Sequence, residues 1–398
     1  MLQIDNPAPP PRFALFQLGF RPFFAGAALY GVVAVFLWLL AYLYGVPVAP
    51  AALGPVLWHG HEMVFGYALA VVAGFLLTAV GNWTGVKSFH GAPLVLTFGL
   101  WLIARLAIYL PGDWLMVAAL ADLGFLLLLI LGVAIPVIRV RQWKQVGILS
   151  KLVLLLLASA AFYAGALGWL ADGIQWGLFG AFYLILALVF MMARRVVPFF
   201  IERGVDEDFS PRNRTWLDVA SLVLVLLWAA LEVFLPGQTG PIAVAALALF
   251  LMHGLRLIDW HTPGIWRKPL LWSLYLGYAS LVLGFGLRVL SIWGDLSPFL
   301  ALHAFAYGGI GLMTLGMMSR VALGHTGRNV FQPPPAVGLF LAILVLGVCF
   351  RVLVPLILPE QYRIWIGASQ ALWIAAFGYF AAVYLPMLIR PRVDGRPG

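Results

Sequence analysis

The chain has 398 residues, of which 63% are hydrophobic and only 10% are charged. A soluble domain typically carries about 25% charged residues, so the composition excludes an ordinary soluble enzyme. The net charge of +9 does not indicate a nucleic-acid partner, because the basic residues lie at the ends of apolar blocks rather than in one stripe.

Apolar blocks of roughly twenty residues, the length that crosses a hydrocarbon core of about 30 Å, recur along the chain. They predict an all-α polytopic protein with about twelve transmembrane helices and a lipid bilayer as its environment. The predicted helices in chain order are 23–45, 60–81, 92–110, 114–138, 147–171, 175–199, 215–235, 240–260, 270–293, 298–322, 336–357 and 363–389.

These helices are predicted to form a single membrane domain over residues 23–389. An N-terminal tail, residues 1–22, lacks the short apolar region of a cleavable signal peptide, and a second tail covers residues 390–398. One charged loop, residues 201–214, separates two halves of six helices each.

Positive charge is distributed unequally between the two faces. The tails, the loops after predicted helices 2, 4, 6, 8 and 10 and the adjoining helix ends hold all but four of the 24 Lys and Arg residues, the exceptions being Arg105, Arg288, Arg351 and Arg363. Because cytoplasmic segments carry the excess of Lys and Arg, both termini are predicted to be cytoplasmic.

A weak internal similarity favours a possible repeat of four helices. A shift of 242 residues aligns His61 with His303 and Gly74 with Gly316. Glycine-rich helices also produce such matches by chance. If the repeat is real, His61 and His303 lie at one depth near the outer face.

Six of the seven histidines fall in or beside predicted helices, where ionisable groups normally face the bundle interior. His59, His61 and His303 lie near the outer ends of predicted helices 2 and 10. His253 lies deeper, in predicted helix 8, and His325 follows predicted helix 10.

Two histidines on facing helices can hold a haem between them, since a neutral imidazole binds haem iron and copper. His61 and His303 are the predicted pair, with His59 as the alternate. Glu62 and Arg288 could orient an imidazole or pair with a haem propionate. A lone intramembrane histidine is more often a hydrogen bond between helices, and that alternative stays open.

Two of the arginines lie within predicted helices rather than at their ends. For Arg105 and Arg288 we expect an acidic partner, such as Asp122 or Glu232. The arginines at helix ends, Arg320 among them, are interpreted as interfacial anchors.

Several motifs together resemble the NnrS family of bacterial membrane proteins. They extend from the first predicted helix to the loop after the tenth. The matching stretches are Leu18–Phe24, Trp58–Gly66, Gly74–Ala79, Asn82–Gly85, His253–Arg256 with Trp260, Met317–Val321 and Gly324–Arg328.

This resemblance implies a haem- and copper-containing protein of the bacterial cytoplasmic membrane, linked to denitrification and to protection from nitric oxide and nitrosative stress. A haem would be a non-covalent b type, because the chain has no Cys-x-x-Cys-His motif. The resemblance does not settle which histidine binds which group. The expected ligands are His59, His61 and His303 for haem and His253, His325 and His59 for copper, with Arg256, Arg320 and Arg105 as supporting residues.

Three functions stay open at this point. The first is nitric oxide binding, detoxification or electron transfer, with a quinol or another electron donor; whether this includes enzymatic turnover is undecided. The second is a proton-coupled secondary transporter with an intramembrane site of His, Arg and Glu. The third is a structural or assembly role without chemistry.

Overall fold

The structure, a computed structural model, describes residues 13–48, 50, 53–110 and 113–396. Within these ranges the chain forms twelve long helices and no β-strand. The helices are α1 (Phe20–Tyr44), α2 (Gly54–Thr84), α3 (Ala92–Ala107), α4 (Trp114–Arg139), α5 (Trp143–Ala166), α6 (Gly173–Gly204), α7 (Thr215–Phe234), α8 (Thr239–Trp260), α9 (Pro269–Trp293), α10 (Pro298–His325), α11 (Ala336–Ile357) and α12 (Pro359–Ile389).

The predicted all-α membrane fold is confirmed. Eleven of these helices are long and apolar enough to cross a bilayer, and α3 is shorter. The N–H of Gly91, just before α3, donates to Phe16 near the start of α1. Beyond the other end of α3, the ring of Tyr109 contacts Trp58 near the start of α2. The α3 segment therefore connects the two faces of the bundle.

Some helices extend beyond their predicted bounds. Helix α2 begins at Gly54 rather than at residue 60, so His59 and His61 lie inside it rather than at its opening. Helix α6 continues to Gly204, so the predicted loop 201–214 begins as helix. Apolar block length misses such turns because a helix can project past the hydrocarbon. Residues 1–12 of the predicted tail lie outside the described residues.

The segment that precedes α1 and the end of α12 meet on one face of the bundle, here called the terminal face; the other is the opposite face. The N–H of Ala14 donates to the carbonyl of Ile389 over 2.9 Å. The Arg21 guanidinium donates to the carbonyls of Leu388 and Arg390, each at 2.8 Å. These bonds satisfy carbonyls that the end of α12 leaves without helical partners.

Three helices form the centre of the bundle. Helices α2, α6 and α10 contact one another, and α2 and α10 have the most buried apolar windows. Each follows the one before it by four helices along the chain, so α2 and α10, the pair with internal similarity, lie two such steps apart.

Helices α2 and α10 also share a local irregularity. Each changes to a π-helical turn immediately after a histidine, over Glu62–Ala68 and over Ala304–Leu312. The two segments begin at equivalent positions under the 242-residue shift. Because π-helical turns occur frequently at functional sites, they direct attention to His61 and His303.

Close packing of α5 and α6 depends on a glycine. A Cβ atom on Gly177 would lie 2.5 Å from the backbone oxygen of Ala158 and 2.6 Å from the Cα of Phe162. Backbone atoms cannot move aside as a side chain can, and small residues allow such approach between membrane helices.

We expect Gly177→Ala to separate α5 from α6 and to destabilise the protein by about 1–3 kcal/mol, the usual cost of overpacking. Thermal unfolding of the purified protein, followed by tryptophan fluorescence, measures this. The control is Gly180→Ala on the same helix, where the nearest atom is 4.0 Å away. Equal melting temperatures for the two variants would contradict the packing described.

Candidate functional site

Two histidines lie near the opposite face, His59 on α2 and His303 on α10. His59 and His303 interact electrostatically with each other and with the guanidinium of Arg351 on α11. The nitrogen Nη2 of Arg351 lies 2.8 Å from Nε2 of His303. We call these three residues the His59–His303 pair with Arg351.

The hydrogen bonds of His303 define its tautomer. Its Nδ1 lies 2.8 Å from the carbonyl oxygen of Phe299, and since a carbonyl only accepts, Nδ1 carries the proton. The Nε2 atom therefore has a free lone pair, which accepts from Arg351. A ligating histidine commonly has this arrangement, with one ring nitrogen donating to a carbonyl and the other available to a metal.

His59 is held by stacking rather than by hydrogen bonds. Its ring lies parallel to the indole of Trp38, at 4.6 Å between centroids and with a 6° interplanar angle. Its Nδ1 is buried and finds no hydrogen-bond partner among the described residues. An unsatisfied buried nitrogen is unfavourable unless something unseen bonds to it, so His59 has capacity for a further partner.

A second group, the His61 cluster, is enclosed by α1–α5 and consists of Tyr30, His61, Glu62, Arg105, Asp122 and Tyr163. Nη1 of Arg105 lies 2.7 Å from Glu62, and its Nη2 donates to Asp122. The phenol of Tyr30 donates to Glu62. The phenol of Tyr163 lies 2.7 Å from Asp122.

Within this cluster, His61 is bound on one side only. Its Nδ1 lies 2.7 Å from Oε1 of Glu62, whereas its Nε2 is 3.8 Å from Asp122 and has no hydrogen-bond partner in the described part of the chain. The ring stacks on Phe162 at 4.4 Å. His61 is fully buried, so only a ligand already enclosed by these helices could reach Nε2.

The structure does not bring the predicted pair, His61 and His303, together. His61 makes its contacts with α4 and α5, while His303 makes its own with α11. Successive residues turn by about 100° around a helix, so His59 and His61 point to different sides of α2. The alternate, His59, is the residue on the side of His303.

A third group, the His253 cluster, lies nearer the terminal face and consists of Asp218, His253, Arg256 and Tyr278. Nδ1 of His253 is 2.5 Å from the Tyr278 hydroxyl, and Arg256 donates to that hydroxyl over 2.9 Å and to Asp218 over 2.8 Å. Nε2 of His253 is buried, and no residue that the structure describes forms a hydrogen bond with it.

Other predicted site residues lie apart from these groups. Arg288 forms a two-pronged ion pair with Glu232, at 2.6 and 2.9 Å, so the expected partners of both Arg105 and Arg288 are found. Arg320 lies over the ring of Phe200, 3.9 Å from its centroid. None of these contacts involves a histidine.

His325 lies at the terminal face beside cationic neighbours. Its carbonyl accepts from Arg392, and its ring interacts electrostatically with Arg392 and Arg21. The Arg392 guanidinium lowers the pKa of Asp394 to about 2, so this pair stays ionised at physiological pH. Because two guanidinium groups lie near His325, they would repel a copper ion at this site.

The donor sets differ in how well they suit haem and copper. Among the described residues, no three His, Cys, Asp or Glu side chains converge to hold a metal ion. A haem iron needs at most two axial side chains from the protein, which His59 and His303 could supply. Among the described residues, the His253 cluster contains no second imidazole and no thiolate, and its one carboxylate, Asp218, is bonded to Arg256, so the cluster does not form a complete copper site.

Arg351 is the functional residue that the sequence argument missed. It lies within an apolar helix, which is the same signal that singled out Arg105 and Arg288. Among the described residues, those two have carboxylate partners, whereas Arg351 bonds only to His303 and to the Tyr362 hydroxyl at 3.1 Å. Arg351 therefore has capacity for an anionic partner.

Comparison with known proteins agrees with the motif resemblance. The sequence profile of the family described as NnrS protein matches residues 14–392. A search among curated proteins finds no match. The matched range contains all twelve helices and every histidine discussed above.

Replacing Arg105 tests the balance of the His61 cluster. Arg105→Gln would leave Glu62 and Asp122 as uncompensated buried carboxylates, and breaking a buried pair in this way costs about 3–5 kcal/mol. We expect a large fall in melting temperature, partly reversed when Asp122→Asn is added. Arg363→Gln is the control, because that guanidinium only donates to the Leu43 carbonyl at the surface. An Arg105→Gln protein as stable as this control would contradict the cluster.

Proposed function

The chain belongs to the NnrS family, and from that premise we propose that it binds a b-type haem between His59 and His303. Family membership supports a general role in the response to nitric oxide, without specifying the reaction. With the charge asymmetry of the sequence, it also supports a location in the bacterial cytoplasmic membrane with the terminal face in the cytoplasm.

The observation that carries this proposal is the arrangement of the His59–His303 pair with Arg351. Two imidazoles at one depth on neighbouring helices each have a nitrogen able to bind a further group. Arg351 is an intramembrane cation without a carboxylate, and charges at such depth are normally paired. A haem propionate would supply the missing negative charge.

The protein residues would perform separate tasks around this group. Phe299 orients the imidazole of His303 through its carbonyl, and Trp38 fixes the plane of His59. Arg351 would leave His303 to pair with the propionate. A haem held there would supply an iron able to transfer single electrons or to bind nitric oxide.

Copper is a weaker part of the proposal. His253 has an unpartnered Nε2, which supports a possible ligand, and Tyr278 and Arg256 would fix its ring. The residues beside it do not complete a copper site, so no step is assigned to copper. A quinol or another electron donor is equally a proposal for reducing the haem.

We expect the purified wild-type protein to give a pyridine haemochromogen spectrum and His303→Ala and His59→Ala to lose most of the haem. The control is His90→Ala, because His90 lies in a loop and bonds only to the Ser88 carbonyl. Haem added together with imidazole is expected to restore a low-spin spectrum to His303→Ala. Wild-type protein without haem would refute the proposal. Loss of haem in His61→Ala but not in His59→Ala would show that the assigned pair is wrong.

A second candidate function, proton-coupled transport, is favoured by the His61 cluster. This cluster contains two carboxylates and one guanidinium, so it could take up a proton without gaining an excess of positive charge. Intramembrane groups of this kind occur in proton relays of transporters. The complete enclosure of His61 and Glu62 opposes it, since a transported ion needs a path to both faces.

Proton flux distinguishes the two functions. Proteoliposomes loaded with a pH-sensitive dye receive external nitrite, the water-soluble oxidation product of nitric oxide. We expect no nitrite-dependent acidification of the lumen, because the enclosed cluster offers no path. Acidification by the wild type that disappears in Asp122→Asn but persists in Arg363→Gln would favour the transporter instead.

A further inference from the structure

An apolar cavity of about 90 Å³ lies where α2, α6 and α10 meet, with α1 on its fourth side. Its walls include Val72 from α2, Val189 and Met192 from α6, and Met317 from α10. These four side chains are only half-buried, so the cavity is reachable from outside the packed core.

The cavity is distinct from the haem site. Met313, another wall residue, follows His303 by ten positions on α10, which is more than two helical turns further along the helix. The cavity therefore lies in the half of the bundle near the terminal face. Of the three central helices that line the cavity, α2 and α10 also carry the two histidines of the proposed haem site.

No polar group in the cavity is available to a ligand. The only polar side chain in its wall is Thr314. The Thr314 hydroxyl lies 2.6 Å from the carbonyl of Ile310 and 2.6 Å from the hydroxyl of Tyr67. A bound water normally needs two to four polar partners, so water is a poor occupant of this space.

We propose that this cavity is a binding site for a small apolar gas molecule, the natural occupant being nitric oxide. A closed apolar cavity of about 150 Å³ stays dry and binds xenon or benzene, and the apolar walls of this smaller cavity, which is open on one side, offer a guest the same kind of contact. A volume of 90 Å³ accommodates a diatomic molecule or a xenon atom. Only the identity of the natural occupant rests on the proposed function, because the capacity to bind an apolar gas follows from the walls.

The chemistry of the wall favours this occupant over a metal ion. Three methionines, Met192, Met313 and Met317, contribute thioethers, which are soft and polarisable and make good contacts with an apolar guest. Thioethers also bind Cu(I). However, no thiolate, imidazole or carboxylate stands among the wall residues to raise the affinity or balance the charge.

Xenon is the direct probe. Full-length protein in lipid nanodiscs is examined by xenon-129 exchange NMR, and crystals pressurised with xenon are examined by anomalous diffraction. We expect one saturable site beside Val189 and Met317. Val189→Phe fills the cavity and is expected to reduce xenon binding at least tenfold, and Ala193→Leu provides a second, smaller filling should the first variant fail to fold.

The matched control is Val223→Phe, which makes the same change at a position of α7 that is 52% exposed on the outside of the bundle. This variant is expected to bind xenon as the wild type does. Absence of xenon from the wild-type cavity, unchanged binding in both filled variants, ordered water in the cavity, or copper at the thioethers would each overturn the proposal.

The haem assay separates this proposal from the proposed function. Xenon binding by a protein without haem would leave the gas cavity standing and refute the haem site. A protein that binds haem but no xenon would support the haem site and refute the gas cavity. In haem-loaded protein, Val189→Phe is expected to slow nitric oxide binding in flash photolysis while leaving the haem content unchanged.

Discussion

A charge within the hydrocarbon must find its partner inside the protein, and in this bundle the partner is usually on a neighbouring helix. Arg105 of α3 is held between Glu62 of α2 and Asp122 of α4. Apolar faces gain little by meeting one another in lipid, since the lipid tails are equally apolar. The ion pairs therefore select which helices become neighbours. Arg288 with Glu232 does the same for α9 and α7.

Much of this arrangement follows from the sequence. Block length predicted twelve helices because a bilayer fixes the length of a crossing helix. The partners of Arg105 and Arg288 were predictable because few acidic groups lie at a suitable depth. The start of α2 and the end of α6 could not be predicted in this way, because a helix that projects past the hydrocarbon no longer needs an apolar sequence. Arg351 was overlooked because its partner is an imidazole and not a carboxylate.

The choice between His59 and His61 shows where sequence reasoning ends. The motif contains both histidines two residues apart, and periodicity shows only that they face different sides of α2. Which side faces α10 depends on how α2 is rotated in the bundle. The π-helical turn that begins at Glu62 changes that rotation for every residue after it, and sequence periodicity assumes a regular helix. Internal similarity aligned His61 with His303 in position along the chain. It carried no information on the direction in which either side chain points.

The two histidines of α2 are nevertheless coupled through the helix that bears them. His61 is anchored to Glu62, which is anchored to Arg105 and Tyr30, so this turn of α2 cannot rotate without breaking several buried hydrogen bonds. His59 lies on the same turn, so the backbone that bears its side chain is held in place, and its ring is stacked on Trp38. A ligand is positioned well when its supporting residues are themselves locked by packing and hydrogen bonds. The His61 cluster thus explains how a ring that is stacked on Trp38, and has no hydrogen bond at Nδ1, can keep one orientation within the membrane.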